Sequence, residues 1–394
     1  MKKFPRVVLL QGKDRSVRLF HPWLFSGAIS KVEGNPEEGE IVEVFSKDGE
    51  YLATGHFHDG SIKVRIFSFE QTDANQDFWN SKFLNAFQFR QTLGITNDGK
   101  TNTYRLIHGE GDNLPGLIID IYDSAAVIQF HTYGMYRMKE LITNALKNIP
   151  GLKLEVIYNK SSETINSKKF PDAKNEFLLG DLEEKIILEN DIRFHVNWVE
   201  GQKTGYFIDQ RENRLLLEKY SKGKNVLNTF SYSGGFSMYA LHGGAVNVHS
   251  VDSSKKASEL ANLNAQLNGY QDKHVFYQED VFDFLKKSND KYDIVILDPP
   301  AFAKHLSSVK NAMVGYRNLN VEGIDKVAKG GLLFTFSCSQ VIDKLLFRKL
   351  IFQAAAQTKR NIRIMHQLTQ APDHPVNIYH PEGEYLKGLV LMVE

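Results

Sequence analysis

The sequence predicts an α/β protein: a doubly wound, mostly parallel sheet in the C-terminal half, behind a small β-barrel or sandwich and a small α+β segment. Three observations carry this expectation. At 394 residues the chain exceeds the usual size of one domain. Its first 70 or so residues break into short β-rich runs parted by turn signals. From about residue 193 onward, apolar runs of strand length alternate with stretches of helix length.

Residues 1–72 hold the runs RVVLL, EIVEVFS, YLATGHF and IKVRIFSF, separated by EGNPEEGE and SKDGE, whose Gly, Pro and Asp favour turns. Between the first two lies RLFHPWLFSGAI, where Phe20, Trp23 and Phe25 crowd a proline corner. Rings in so small a barrel are expected in its core. The opening MKKFPRVVLLQGK resembles a leader only briefly, because its apolar run stops at Gly12 and Lys13.

Residues 73–190 change character. A helix-period stretch from Phe78 to Leu93 precedes the polar linker GITNDGKTNT. GLIIDIYDSAAVIQFH reads as a strand pair turning at Asp123 and Ser124. A helix from Tyr136 to Lys147 and the strand LEVIYN follow.

Residues 191–394 supply the alternation. NVLNTF, NVHSVD and HVFYQED each precede a helix, and YDIVILD and GLLFTFSCS complete the series. The tail VNIYHPEGEYLKGLVLMV reads as two strands around a turn, added antiparallel at the sheet edge.

Composition narrows the setting. Hydrophobic content of 42% and charged content of 24% are ordinary for a globular protein. No stretch approaches the ~20 apolar residues of a membrane span. The single cysteine, Cys338, excludes an intramolecular disulfide and fits a reducing compartment, so the cytoplasm is the expected location. A net charge of +1 names no partner. By segment, residues 1–18 carry six basic residues against Asp14, 71–192 carry 13 basic against 17 acidic, and 193–394 carry 25 against 20. Two weakly basic segments suit a phosphate backbone or an ordinary solvated surface.

In open α/β sheets, ligands lie beyond the carboxyl ends of the strands. The informative residues all fall there. In NTFSYSGGF, Ser231, Ser233, Gly234 and Gly235 permit a tight turn and a close approach of ligand to backbone. Asp252, ending the next strand, suits the two ribose hydroxyls of an adenosine. GxGxxG is absent, which argues against a dinucleotide. Asp280 ends FYQED, where it can cap the helix DVFDFLKK and accept a hydrogen bond from an adenine amino group. Carboxylates at successive strand ends suit an adenosine carrying a cationic sulfonium. In LDPPAF, two prolines after Asp298 force a rigid extended turn without amide N–H groups, able to aim a carboxylate at a planar base.

The series NTFSYSGGF, VD at 251–252, QED, LDPPAF and FTFSCS resembles class I S-adenosylmethionine-dependent methyltransferases with a Rossmann-like sheet. With HPWLFSGAI, GQKTGYFIDQREN at 201–213, DHPV and PEGEYLKG, essentially the whole chain is similar to the RlmI-type ribosomal RNA (cytosine-C5)-methyltransferase family. The resemblance implies an N-terminal PUA RNA-binding β-barrel over 1–72, a small α+β middle domain over 73–190 and a methyltransferase domain over 191–394. It implies S-adenosylmethionine as cofactor, large-subunit (23S) ribosomal RNA as partner, no membrane and no metal; a homodimer is a further partner state to test.

Carried onto matching positions, Phe230, Ser231, Tyr232 and Gly234 would wrap the methionine and sulfonium. Asp252 with Ser253 would hold the ribose, Asp280 with Val281 the adenine, and Gln210 would border the cofactor. Asp298 would face the target base beside Pro299, Pro300 and Phe302. Arg211 would lie toward the substrate, its alternative being an ion pair at a helix start.

Carbon 5 of cytosine is too weak a nucleophile to take a methyl group unaided. A thiolate adding to carbon 6 makes the ring enamine-like; loss of the carbon 5 proton and of the thiolate then restores it. Cys338, at the end of the fifth strand, is expected to be that nucleophile, with a protonated Asp298 hydrogen-bonded to the ring nitrogen. The plain alternative is an inert core cysteine. The base must be unpaired or flipped out, gripped by the barrel and middle domain. Stretch 303–320, with Lys304, Lys310 and Arg317, is either a lid or a connector. The thirteen histidines show no ligand spacing, so His56, His58 and His374 are expected to be structural or RNA-facing. Two rival functions remain: methylation of a purine nitrogen, which needs no cysteine, and a non-catalytic RNA-binding assembly factor.

Overall fold

The computed structural model describes residues 3–96, 99–166, 168–303 and 305–394. The chain forms two compact units, one of Met1–Ile187, Val196–Tyr206 and Pro372–Gly383, the other of Leu188–His195, Phe207–Ala371 and Glu384–Glu394.

The first unit contains two sheets. Six strands line up in the order Trp23–Phe25, Ile62–Ser68, Tyr51–Phe57, Ile41–Phe45, Arg6–Leu9, Ile29–Glu33. They close over Val7, Leu9, Val17, Leu24, Val42, Val44, Val64 and Ile66. The rings expected in this core are not in it: Phe20 and Phe25 are each 46% exposed and Trp23 is half-buried. Strand alternation is the reason. Leu24 points inward, so its neighbours Trp23 and Phe25 must point to the other face. Phe20 sits in a left-handed conformation (φ 60). His56 is fully buried, and burial drives its pKa down to about 3, a structural histidine held neutral. His374 is likewise buried, against Asp373.

The second sheet runs Glu176–Leu179, Val156–Asn159, Ala125–Phe130, Leu117–Tyr122, Thr103–His108. The expected hairpin turns at Asp123, whose φ of 57 meets the demand of a two-residue turn. Helices Gln76–Thr92 and Lys139–Lys147 cover this sheet, with Trp79, Phe83, Phe87, Ile142 and Leu146 in the core. The strand Thr103–His108 begins at the last residue of the expected linker, and residues 97 and 98 of that linker lie outside the described residues.

The second unit is built on seven strands: β1 (Asn225–Thr229), β2 (Asn247–Asp252), β3 (His274–Gln278), β4 (Tyr292–Leu297), β5 (Val327–Ser337), β6 (Ile362–Thr369) and β7 (Lys387–Val393). Their order is β3-β2-β1-β4-β5-β7-β6, parallel from β3 to β5, with β7 antiparallel to both neighbours. The order reverses between β1 and β4, the switch point at which such sheets bind ligands. Helices α1 (Arg211–Tyr220), α2 (Gly235–His242), α3 (Lys255–Leu267), α4 (Val281–Lys287), α5 (Val309–Lys326) and α6 (Lys344–Thr358) follow the strands or precede them.

The structure departs from two expectations. The tail is not two edge strands: residues 376–386 form turns, including one at Pro381–Gly383, β7 lies inside the sheet, and the edge strand is β6. Stretch 303–320 is mostly helix α5, which buries Ala312, Tyr316, Leu319 and Asn320; it is no loop-like lid. Lys304 lies outside the described residues. Among the described residues, no helix is long and apolar enough to cross a membrane.

Candidate active site

Parallel pairing sets the strand ends side by side. Thr229 is level with Val251 and Leu297, Leu297 with Thr335, and Ser337 with Lys387 of β7. The residues just beyond these positions therefore share one edge of the sheet.

The turn after β1 is tightly wound. Phe230 (φ 53), Tyr232 (φ 44) and Gly234 (φ 75) all occupy the left-handed region, which costs about 1 kcal/mol or more at each non-glycine residue. The Ser231 amide reaches the Val251 carbonyl at 3.2 Å and the Gly234 amide the Ser231 carbonyl at 2.8 Å. A Cβ on Gly234 would stand 3.2 Å from that of Ala261 on α3. Asp252 ties this turn to the next: Oδ2 accepts from the Tyr232 amide at 3.1 Å and Oδ1 from the Ser254 amide at 3.0 Å. Ser253 is exposed beside it. Asp280 caps α4, one oxygen accepting from the amides of Phe282 and Asp283. Val281 puts its side chain into the core. Ser231 Oγ is buried without a hydrogen-bond partner among the described residues. A strained turn, an orphan hydroxyl and carboxylates with spare lone pairs fit a small adenosine-bearing ligand.

The ends of β4 and β5 are different in kind. Asp298 is held by Gln210, whose Nε2 donates to Oδ1 at 3.1 Å; Gln210 in turn accepts from Asn213 Nδ2 at 2.6 Å. Burial and then the neighbouring Asp209 carboxylate push the Asp298 pKa up to about 7. Pro299 is buried and Pro300 exposed. Phe302 packs on Tyr316, ring centroids 4.6 Å apart. The Tyr316 hydroxyl lies 2.9 Å from Ser339 Oγ, which also accepts weakly from the Ala303 amide at 3.4 Å. The serine after Cys338 thus fastens the proline turn to the end of β5.

Cys338 itself is half-buried, its Sγ 3.9 Å from the Pro299 carbonyl. Burial first, then Asp298 and Asp209, raise its thiol to about 11, and Lys387 opposes the rise. Lys387 is buried on β7 and donates to the carbonyls of Ser339 and Tyr385, both at 2.7 Å. Its own pKa is drawn down to about 8 by desolvation.

Arg211 is only 2% exposed at the start of α1, 3.3 Å from Glu212, the ion pair at a helix start. Helix α1 is anchored by Arg214, which grips Glu189 through two nitrogens at 2.7 and 2.9 Å. That anchoring fixes the residues just before the helix, Asp209 and Gln210. Sequence reasoning passed over three groups of this site: Asp209, Tyr385 and Lys387. Their signal lay in GQKTGYFIDQREN, where the sequence singles out Gln210 and Arg211 but not Asp209, and in PEGEYLKG. Among the described residues, no cluster of three His, Cys, Asp or Glu side chains is placed to hold a metal.

Comparison with known proteins agrees with this architecture. The family model described as S-adenosylmethionine-dependent methyltransferase matches residues 153–383, and a PUA-like domain model matches residues 7–69. Ribosomal RNA large subunit methyltransferase I of Vibrio cholerae serotype O1 is 39% identical over 399 residues, covering 99% of both chains. The protein of the same name from Aeromonas salmonicida is 38% identical, covering 98% of both. A candidate S-adenosylmethionine-dependent methyltransferase from Streptococcus mutans has the same fold, with a TM-score of 0.84 at 24% identity over 98% of this chain and 100% of that one. The SMU.776 structure, complexed with SAH, also superposes with a TM-score of 0.84 at 24% identity over the whole of both chains. The expected PUA-like domain and class I methyltransferase fold are thereby established, and the chain belongs to the family of S-adenosylmethionine-dependent methyltransferases, in the group of ribosomal RNA large subunit methyltransferase I.

Proposed function

We propose that the chain methylates carbon 5 of a cytosine in large-subunit ribosomal RNA through a covalent adduct on Cys338. The observation that supports this best is the seating of the thiol: half-buried, 3.9 Å from the Pro299 carbonyl of the proline turn, beside a carboxyl whose pKa is about 7. An inert core cysteine has no need of such company.

The residues divide the work. The turn 230–234, Asp252 with Ser253, and Asp280 with the Val281 backbone hold the cofactor, which when bound supplies an electrophilic methyl group. Pro299, Pro300 and Phe302 wall the base pocket, and Arg211 backs the substrate side. The Cys338 thiol gives up its proton to solvent and adds to carbon 6 as the thiolate, while Asp298, protonated below about pH 7, donates to the ring nitrogen and draws electrons away. Lys387 offsets part of the charge that the thiolate brings. Gln210 orients Asp298 and borders the cofactor. Residues 1–72 and 73–190 grip the RNA; the outward rings of Phe20 and Phe25 offer stacking faces to unpaired bases.

The test is product analysis. Ribosomal RNA incubated with protein and cofactor, then digested to nucleosides, is expected to contain new 5-methylcytidine with wild type and none with Cys338→Ala. A methylated purine from both proteins would establish the nitrogen-methylating alternative; cofactor binding with no methylated nucleoside would point to the assembly factor.

A further inference from the structure

If Cys338 adds to one face of the base and the methyl arrives on the other, the carbon 5 proton is left turned toward the sulfur. The base that removes it must stand on the sulfur's side. Among the described residues, the charged groups that bear most on Cys338 are Asp298, Asp209 and Lys387. Asp298 is engaged with Gln210 and, in the proposed mechanism, with the ring nitrogen. Lys387 spends donors on two carbonyls.

Asp209 is differently placed. Its backbone carbonyl accepts from the Ala371 amide at 2.9 Å, and Tyr385 donates its hydroxyl to Oδ2 at 2.7 Å. Oδ1 is buried and has no hydrogen-bond partner among the described residues. A buried carboxylate oxygen without a donor is costly, and such exceptions call for a functional reason. Here a fixed acceptor immediately precedes Gln210, which reaches Asp298 at 3.1 Å, and its charge bears on Cys338. Paired carboxyls with separate tasks are a recurring solution, one kept protonated as donor and the other open as acceptor.

We propose that Asp209 is the general base that takes the carbon 5 proton, its carboxylate held in place by Tyr385; this rests on Cys338 being the nucleophile. In the step, the C5–H bond breaks and its electrons form the C5–C6 double bond. The C6–S bond breaks, Cys338 leaves as thiolate, and the proton passes to Asp209 Oδ1 and on to solvent.

The test uses the full chain, cofactor and ribosomal RNA. Asp209→Asn keeps the size and removes the basicity. Turnover should fall by ~10²–10⁴-fold, while a methylated, Cys338-dependent protein–RNA adduct accumulates on ordinary RNA, where wild type leaves none. Tyr385→Phe keeps the carboxylate and should expose a deuterium isotope effect on RNA carrying 5-deuterocytosine. Wild-type protein with 5-fluorocytidine RNA is the control for the underlying reading. No adduct there means that Cys338 is not the nucleophile. If wild type is trapped and Asp209→Asn turns over normally, or forms no adduct on either RNA while folded, Asp209 is not the base. If Asp209→Asn does not fold, Tyr385→Phe decides, and an absent isotope effect overturns the proposal.

Discussion

Asp252 and Asp298 close neighbouring parts of one parallel sheet, yet their surroundings are opposite. Asp252 spends both oxygens on backbone amides, those of Tyr232 and Ser254. Asp280 also accepts from two backbone amides at its own strand end, those of Phe282 and Asp283, through a single oxygen. Asp298 receives one side-chain donor, Gln210, and its pKa climbs to about 7. Beside burial and the Asp209 carboxylate, which raise that pKa, the two kinds of strand end differ in the residue two places after each aspartate. Asp252 and Asp280 take the amide at that position; for Asp298 it is Pro300, which has none. Withholding amides leaves a carboxyl poorly solvated, and a poorly solvated carboxyl keeps its proton. The sheet thus has one edge whose carboxylates are satisfied by amides and another whose carboxyl is not.

The sharpest break of this comparison is chemical. Cys338→Ala should lower methyl transfer by on the order of 10⁴-fold or more, with cofactor affinity by calorimetry unchanged, because the two edges act separately. Asp298→Asn comes next, with a loss of roughly 10²–10⁴-fold in kcat. The same substitution should stabilise the protein. A carboxyl whose folded pKa lies above its unfolded value contributes stability in acid that is lost as pH rises through about 7. Melting temperatures should therefore favour Asp298→Asn at pH 8, with the gap closing as pH falls toward 4. An equal gap at both pH values would break the link between satisfaction and titration.

On the other edge, Asp252→Ala removes a charged acceptor, worth about 1.5–3 kcal/mol. Cofactor dissociation constants should rise accordingly, with little change in single-turnover rate at saturation. The smallest effect sharpens the comparison most. Pro300→Ala restores an amide two residues after Asp298, as at Asp252, and should lower the carboxyl pKa by about one unit, moving the alkaline limb of the pH–rate profile down by the same amount.

Much of the amide-satisfied edge was legible in the sequence, because Gly, Ser and Asp at strand ends mark tight turns and helix caps. The proline turn and Cys338 were legible by their place at strand ends. Asp209 was not, since it precedes a helix and reaches the site only because Arg214 anchors that helix to Glu189. Lys387 was hidden by its strand: β7 runs antiparallel and pairs Lys387 with Ser337, a register that no local pattern announces. Trp23 and Phe25 were misplaced because hydrophobicity was read without the two-residue alternation that gives the core to Leu24. The edge strand β6, IRIMHQLT, mixes polar and apolar residues with much of its length exposed, so it lacked the apolar run that marked its neighbours.

The central claim is that the sulfur of Cys338 bonds to the base. Full-length protein, cofactor and ribosomal RNA containing 5-fluorocytidine, followed by protease and nuclease digestion and mass spectrometry, reads this directly. The expected result is a peptide spanning Cys338 that carries one methylated fluorocytidine. Unmodified Cys338 peptide alongside newly methylated RNA would contradict it.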